Sequence, residues 1–321
     1  MMRQFKNILL VMPESVKDPA LIERIARLAQ ENKGRLTLAD TVEAPPHSQT
    51  SVFADDLDIP LAKWMQMHRL LVKSKEKRLK QMAASLKKFK NLSVSTLLLQ
   101  GRPSLEIVRD VVQKKRDLLV KPATPETGPL ERLFGGLDTQ LIRRTPCPVW
   151  IIKPRRRKPE RRILAAVDPD PDDPVRHGLN RTILDIATSL SEMLDSELYI
   201  VHAWELPGEN TLRYGEFRLS KKEVDKLVRQ ERQRRKKRLD LLLAQYPDQD
   251  LKQHVVLVKG DAKVKIPQVA QRKKAELVIM GTVCRTGIEG FFIGNTAEAV
   301  LHQIRCSVLT VKPEGFKSPI S

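Results

Sequence analysis

The residues best placed to do chemistry lie between Leu277 and Ile304, L-V-I-M-G-T-V-C-R-T-G-I-E-G-F-F-I-G-N-T-A-E-A-V-L-H-Q-I. Leu277–Met280 read as the end of a buried strand. A glycine-punctuated loop runs from Gly281 to Gly294. An amphipathic helix follows, with Asn295 as predicted N-cap and Glu298 as its capping-box partner. A strand passing through glycines into a helix N-terminus is a geometry that receives phosphate. The main chain can approach closely, and the first-turn N–H groups attract an anion. The stretch contains neither G-x-x-x-x-G-K-[ST] nor G-x-G-x-x-G.

Asp168 closes the apolar run Ile163–Val167, at a strand end of the kind where α/β sheets bind ligands. Its other reading is local, because Asp-Pro-Asp-Pro is turn chemistry. Cys284 lies in the glycine loop near a helix N-terminus, where a thiol is activated, but no partner thiol or histidine is adjacent in sequence. Cys147 and Cys306, each just ahead of an apolar strand, read as small core residues. The histidines, His47, His68, His177, His202, His254 and His302, lack metal-ligand spacing, and His202 reads as structural. G-x-S-x-G and H-E-x-x-H are absent, and Asp172-Asp173 sits in a proline-rich turn. No catalytic base is identified.

The run R-Q-E-R-Q-R-R-K-K-R, residues 229–238, has no apolar residue between Val228 and Leu239, so it is expected to be a solvated cationic helix face. With Arg155-Arg156-Arg157-Lys158 it could meet a phosphate backbone, although no aromatic residues interleave it to stack bases.

These groups are positioned by strands alternating with helices, the pattern of a parallel sheet covered on both faces. Strands are predicted at 8–11, 36–39, 94–99, 118–120 and 149–152, then at 163–167, 198–203, 255–258, 277–280 and 308–311. Asp18 and Pro19 start one helix, which Gly34 is expected to stop. A long helix is expected from about Leu61 to Phe89, and another from a Ser220/Glu223 capping box to about Tyr246. K-P-R-R-R-K-P-E-R-R, residues 153–162, reads as a linker.

A chain of 321 residues accommodates two such domains. No apolar run is long enough for a membrane span, and the N-terminus reads as a first strand rather than a signal peptide. Three cysteines without a C-x-x-C pair suit a reducing cytoplasm. The net charge of +19 draws polyanions without specifying one.

The two halves repeat. Gly101 and Gly260, Gly135 and Gly294 (294 − 135 = 159), Cys147 and Cys306, and Lys153-Pro154 and Lys312-Pro313 all share one offset.

With that repeat, the chain resembles tandem universal stress proteins, in particular the universal stress protein E family. The resemblance covers nearly the whole length. It is carried by G-T-V-C-R-T-G-I-E-G-F-F-I-G-N-T-A-E and by R-C-S-V-L-T-V-K-P. Nucleotide-binding members read G-x-x-G, nine residues, then G-[ST]. Gly281 and Gly294 match the outer glycines, whereas Cys284 and Asn295 depart from the pattern.

The resemblance implies an α/β fold: two tandem five-stranded parallel-sheet domains of the adenine-nucleotide alpha hydrolase-like kind, packed as a pseudo-dimer. The domains would be residues 1–153 and 163–315, joined by linker 154–162. It implies a non-enzymatic cytoplasmic protein supporting stress tolerance. ATP or a related nucleotide would bind the second domain at Asp168, Ala203, Gly281, Thr282, Gly294, Asn295 and Thr296. Polyanion binding, slow ATP hydrolysis or adenylyl transfer, and homodimerisation stay open. In the first half the offset sets Pro122 against Gly281, Pro125 against Cys284 and Gly136 against Asn295, with Met12 in the place of Asp168, so that half is expected not to bind nucleotide.

Overall fold

The structure, a computed structural model, describes residues 5–16, 18–43, 61–123, 136–153, 161–216, 218–246, 253–282 and 294–320. The chain divides into two compact units. One is built chiefly from Gln4–Lys158, the other from Pro159–Thr286 with Ile293–Gly315.

The first unit contains β1 (Asn7–Val11), α1 (Pro19–Glu31), β2 (Arg35–Val42), α2 (Leu61–Ser85), β3 (Ser93–Gln100), α3 (Pro103–Gln113), β4 (Leu118–Pro122), α4 (Gly136–Arg144) and β5 (Val149–Ile152). Its strands lie in the order β3-β2-β1-β4-β5, and their pairs are parallel. The second unit contains β6 (Arg162–Ala166), α5 (Pro174–Met193), β7 (Glu197–Trp204), α6 (Glu209–Tyr214), α7 (Lys221–Leu243), β8 (Gln253–Lys259), α8 (Ala262–Arg272), β9 (Leu277–Gly281), α9 (Asn295–Gln303) and β10 (Ser307–Val311). Its order is β10-β9-β6-β7-β8, again parallel. The central strands β1, β4, β6 and β9 are almost wholly buried apolar runs, as a sheet covered on both faces requires.

Local chemistry fixes most boundaries. Asp18 caps α1 by accepting from the Leu21 N–H at 3.0 Å. Ser220 and Glu223 form the reciprocal capping box that opens α7.

Gly34 does not stop α1 in the way expected from sequence. The helix ends at Glu31 with Asn32 as its C-cap, and it is Lys33, one residue before Gly34, that takes the left-handed conformation at φ 51°. Gly34 is needed for close approach instead, since a Cβ there would lie 2.7 Å from the Phe5 carbonyl oxygen. The same helix ending recurs at Lys115, Asp195 and Lys274, with φ of 49°, 48° and 52°. In each case the next residue's N–H closes the turn, as Ala275 N–H does on the Ala270 carbonyl at 2.8 Å. A non-glycine residue in this conformation is strained by roughly 1–2 kcal/mol. Lys274→Gly at this exposed position is therefore expected to stabilise the second unit by about 0.5–1 kcal/mol after the entropy cost of glycine. Scanning calorimetry should show a raised Tm, and a lowered one would refute the reading.

Candidate functional site

The register of the second sheet assembles the site. Ala166 pairs with Val201 on one side and Met280 on the other. Two residues further on stand Asp168, just past the end of β6, Ala203, inside β7, and Thr282, just past the end of β9, so all three lie at the carboxyl end of these neighbouring strands. This is also the point at which the chain order reverses, because connections leave β6 and β9 in opposite directions. Helix α9, nine residues long, follows β9 and so opens at the same end of the sheet.

Asp168 is held by its main chain. Its N–H donates to Asn180 Oδ1 and its carbonyl accepts from Asn180 Nδ2, both at 2.9 Å. Its half-exposed carboxylate lies 3.6 Å from Arg176 and 3.9 Å from His202 Nδ1. Arg176 also contacts Asp170 at 3.3 Å and Asp173 at 3.0 Å. Ala203 is half-buried and in register with Val258.

Gly281 has a packing reason of its own, since a Cβ there would come within 2.5 Å of Leu179 Cδ2 on α5. Thr282 is 2% exposed; its N–H donates to the Val311 carbonyl at 3.1 Å, and its hydroxyl leans on the same oxygen at 3.4 Å. Its side chain is thus committed to the fold. The N-cap of α9 is Gly294, not Asn295, and a glycine has no side chain with which to cap the first turn. The expected Asn295/Glu298 capping box does not form, because Asn295 is already helical. Asn295 is exposed and Thr296 half-buried at that opening turn. Cys284 and the rest of the glycine loop, like Pro125 and Arg155–Lys158, lie outside the described residues.

His202 was legible only as a structural histidine, and it is half of one. Its ring is 1% exposed. Nδ1 lies 3.1 Å from the Val167 carbonyl, an acceptor only, so the neutral ring carries its proton there. Nε2 is buried without a partner, as is the Trp204 indole Nε1 two residues along. Burial lowers the His202 pKa below 6.5, against an upward pull from Asp168 and the Val167 carbonyl, with Arg235 and Arg238 adding to the lowering. The unfolded chain therefore takes up this proton before the folded one does. Stability is expected to fall as pH drops below about 6.5, and His202→Asn should flatten that loss. Denaturant midpoints at pH 7.5 and 5.5 would show it, and equal slopes for both proteins would not.

The cationic helix is not wholly solvated, as its lack of apolar residues had suggested. Glu231 is 7% exposed and bridges Arg234 at 3.3 Å and Arg235 at 2.6 Å. Arg238 reaches Asp170 at 3.3 Å and Asp172 at 3.0 Å. Behind that contact lies a cavity of about 190 Å³, lined by Pro169, Asn180, Leu242 and their neighbours.

The first unit fills the equivalent places with its own charges. Met12 N–H donates to the Ala39 carbonyl as Val167 N–H does to that of Val201. Met12 therefore matches Val167, not Asp168, and Pro13 stands opposite Asp168; the offset there is 155 (168 − 13) rather than 159, because the intervening segments differ in length. By the same register Asp40 matches His202. Asp40 is 2% exposed and accepts from Lys75 at 3.0 Å and Arg78 at 2.8 Å. Arg78 also donates to the carbonyls of Met12 and Pro13. At the end of β4, Lys121 pairs with Asp138 in the first turn of α4 at 2.7 Å, both 0% exposed. Their counterparts at the 159 offset are Met280 and Ala297.

Geometry alone defines a duplicated parallel α/β protein, with buried charges at the carboxyl end of the first sheet and Asp168, Ala203 and Thr282 at that of the second. The sequence model of the universal stress protein family matches residues 4–153 and again 160–312, and the chain belongs to that family in tandem form. It is 25% identical over 336 residues to universal stress protein E of Photorhabdus laumondii, spanning 99% of this chain and 98% of that one. It is 29% identical over 223 residues to universal stress protein E of Escherichia coli K12, covering 68% of each chain. A putative universal stress protein from Pseudomonas aeruginosa shares the fold with a TM-score of 0.70 at 23% identity, over 97% of this chain and 95% of that one. The family carries a role in stress response. Among the described residues no helix is long and apolar enough to cross a membrane.

Proposed function

We propose that this is a non-enzymatic cytoplasmic stress-response protein whose second unit binds a nucleotide, ATP or a relative, while its first unit is structural. The observation that carries the reading is the alignment of Asp168, Ala203 and Thr282 at the switch point, on the side where the first turn of α9, with Gly294 at its N-cap, opens. Such a turn offers main-chain N–H groups and the positive end of a helix to phosphate. Asp168 would take the polar edge of the nucleoside, and Asn295 and Thr296 would flank the phosphates. Gly281 and Thr282 support that seat by packing, since their side-chain positions are spent on Leu179 and Val311.

The test is titration of the full chain with an ATP analogue. Asp168→Ala is expected to weaken binding about tenfold, the loss of one hydrogen bond to a charged group. Unchanged affinity would remove Asp168 from the site, and no binding by the parent would remove the nucleotide. Turnover on adding magnesium would establish the enzyme reading instead. A polyanion contact has a narrower basis, the exposed Arg229, Arg232 and Lys237 of α7. Binding to nonspecific DNA that falls steeply with salt would favour it.

A further inference from the structure

Helix α2 is 25 residues long, about 37 Å. Its two halves have different fates. From Lys75 onward it packs on the first sheet, with Lys75, Leu79 and then Leu86 buried. From residue 62 to residue 74 nothing is buried. Yet this free half is rich in large apolar side chains: Met65 is 41% exposed, Met67 54%, Leu70 61% and Leu71 40%. Trp64 stands one turn before Met67 and two before Leu71, stacked on His68 with centroids 5.5 Å apart. By helical phase Met67, Leu70 and Leu71 fall within about 100° of one another and form a patch of the kind that marks an interaction site, whereas Met65 lies round the helix from them.

The rim is mainly cationic. No acidic residue occurs between Leu61 and Lys75, while Lys63, Arg69 and Lys73 are exposed; beyond them the exposed Glu76 sits beside the exposed Lys77. Lys63, Leu70 and Lys77 share one stripe at seven-residue spacing, beside the stripe of Trp64, Met67 and Leu71. We propose that residues 62–74 form an interfacial helix that seats on an anionic bilayer surface, with the Leu and Met side chains entering the headgroup boundary and the lysines meeting lipid phosphates. The alternatives fit the chemistry less well. A nucleic acid would satisfy the lysines and leave Leu70 and Met67 in water. A second copy would set cation against cation in a chain of net charge +19. An acidic protein would need a groove to receive a projecting helix, whereas a bilayer adapts to one.

The experiment is co-sedimentation of the full chain with phosphatidylglycerol-containing and with pure phosphatidylcholine vesicles, read together with tryptophan emission. Trp150 and Trp204 are buried, at 0% and 4% exposed, so a blue shift on binding reports Trp64. Binding to the anionic vesicles only, with a blue shift, is the expected result. Met67→Glu with Leu70→Glu should cut it at least tenfold (~10) while leaving Tm unchanged. Absence of vesicle binding, or binding untouched by the double substitution, would overturn the proposal. So would a fall in Tm, which would show the face covered in the folded chain, or conversion of a dimer to a monomer, which would assign it to a second copy. An acidic protein that holds this face through Leu70 while vesicles do not would overturn it too.

Discussion

Lys121→Met is expected to destabilise the first unit by about 3–5 kcal/mol, the cost of leaving one buried charge without its partner. Lys121 and Asp138 are both wholly inaccessible and 2.7 Å apart, and Lys121 also donates to the Pro122 carbonyl at 2.9 Å. Asp138→Ala should cost a similar amount, because the buried ammonium then loses the carboxylate that balances its charge. The double substitution should recover most of the loss, since apolar replacements of a buried pair are often neutral. The second unit already shows the solution, with Met280 and Ala297 at the equivalent places. Urea unfolding of the three variants forms a double-mutant cycle, and strictly additive losses would contradict the pairing.

Asp40→Asn is the second large effect, expected to cost about 3 kcal/mol or more in the same assay. Asp40 receives two cations from α2, at 3.0 Å and 2.8 Å, at the end of β2. The amide keeps the shape but not the charge, so Lys75, which is 9% exposed, is left beside a neutral group. Arg78 is less affected, because the carbonyls of Met12 and Pro13 still hold it. Lys75→Met alone should therefore cost less than Asp40→Asn. The reverse order would mean that Lys75, not Asp40, organises the cluster.

The parallel sheets were legible in the sequence because buried strands announce themselves as short apolar runs, and Ile8–Val11 and Leu277–Met280 do so without ambiguity. The Ser220/Glu223 box was legible because its partners are three residues apart. What escaped was set by distance in the chain. Asp40 and its two cations are separated by 35 and 38 residues, and nothing in L-L-V-K-P marks Lys121 as the holder of a carboxylate 17 residues on. Helix α6 lacks an apolar stripe and is fastened by ion pairs, Arg213 to Glu209 and Asp225, and Lys259 to Glu209. The glycines of 281–294 raise the expectation of a seat for an anion. The parts played by Gly281 and Thr282 were not legible, because Leu179 and Val311, which occupy them, come from distant elements.

The asymmetry between the units is physical. The carboxyl end of the first sheet carries two sets of buried charges, whereas the matching end of the second carries, among the described residues, the half-exposed Asp168 carboxylate and the first turn of α9. The most direct measurement is native mass spectrometry of the full chain with an ATP analogue, counting the molecules bound. One per chain, lost in Asp168→Ala, is the expected result. Two per chain, or one that survives Asp168→Ala, would contradict the claim that only the second unit offers a nucleotide site.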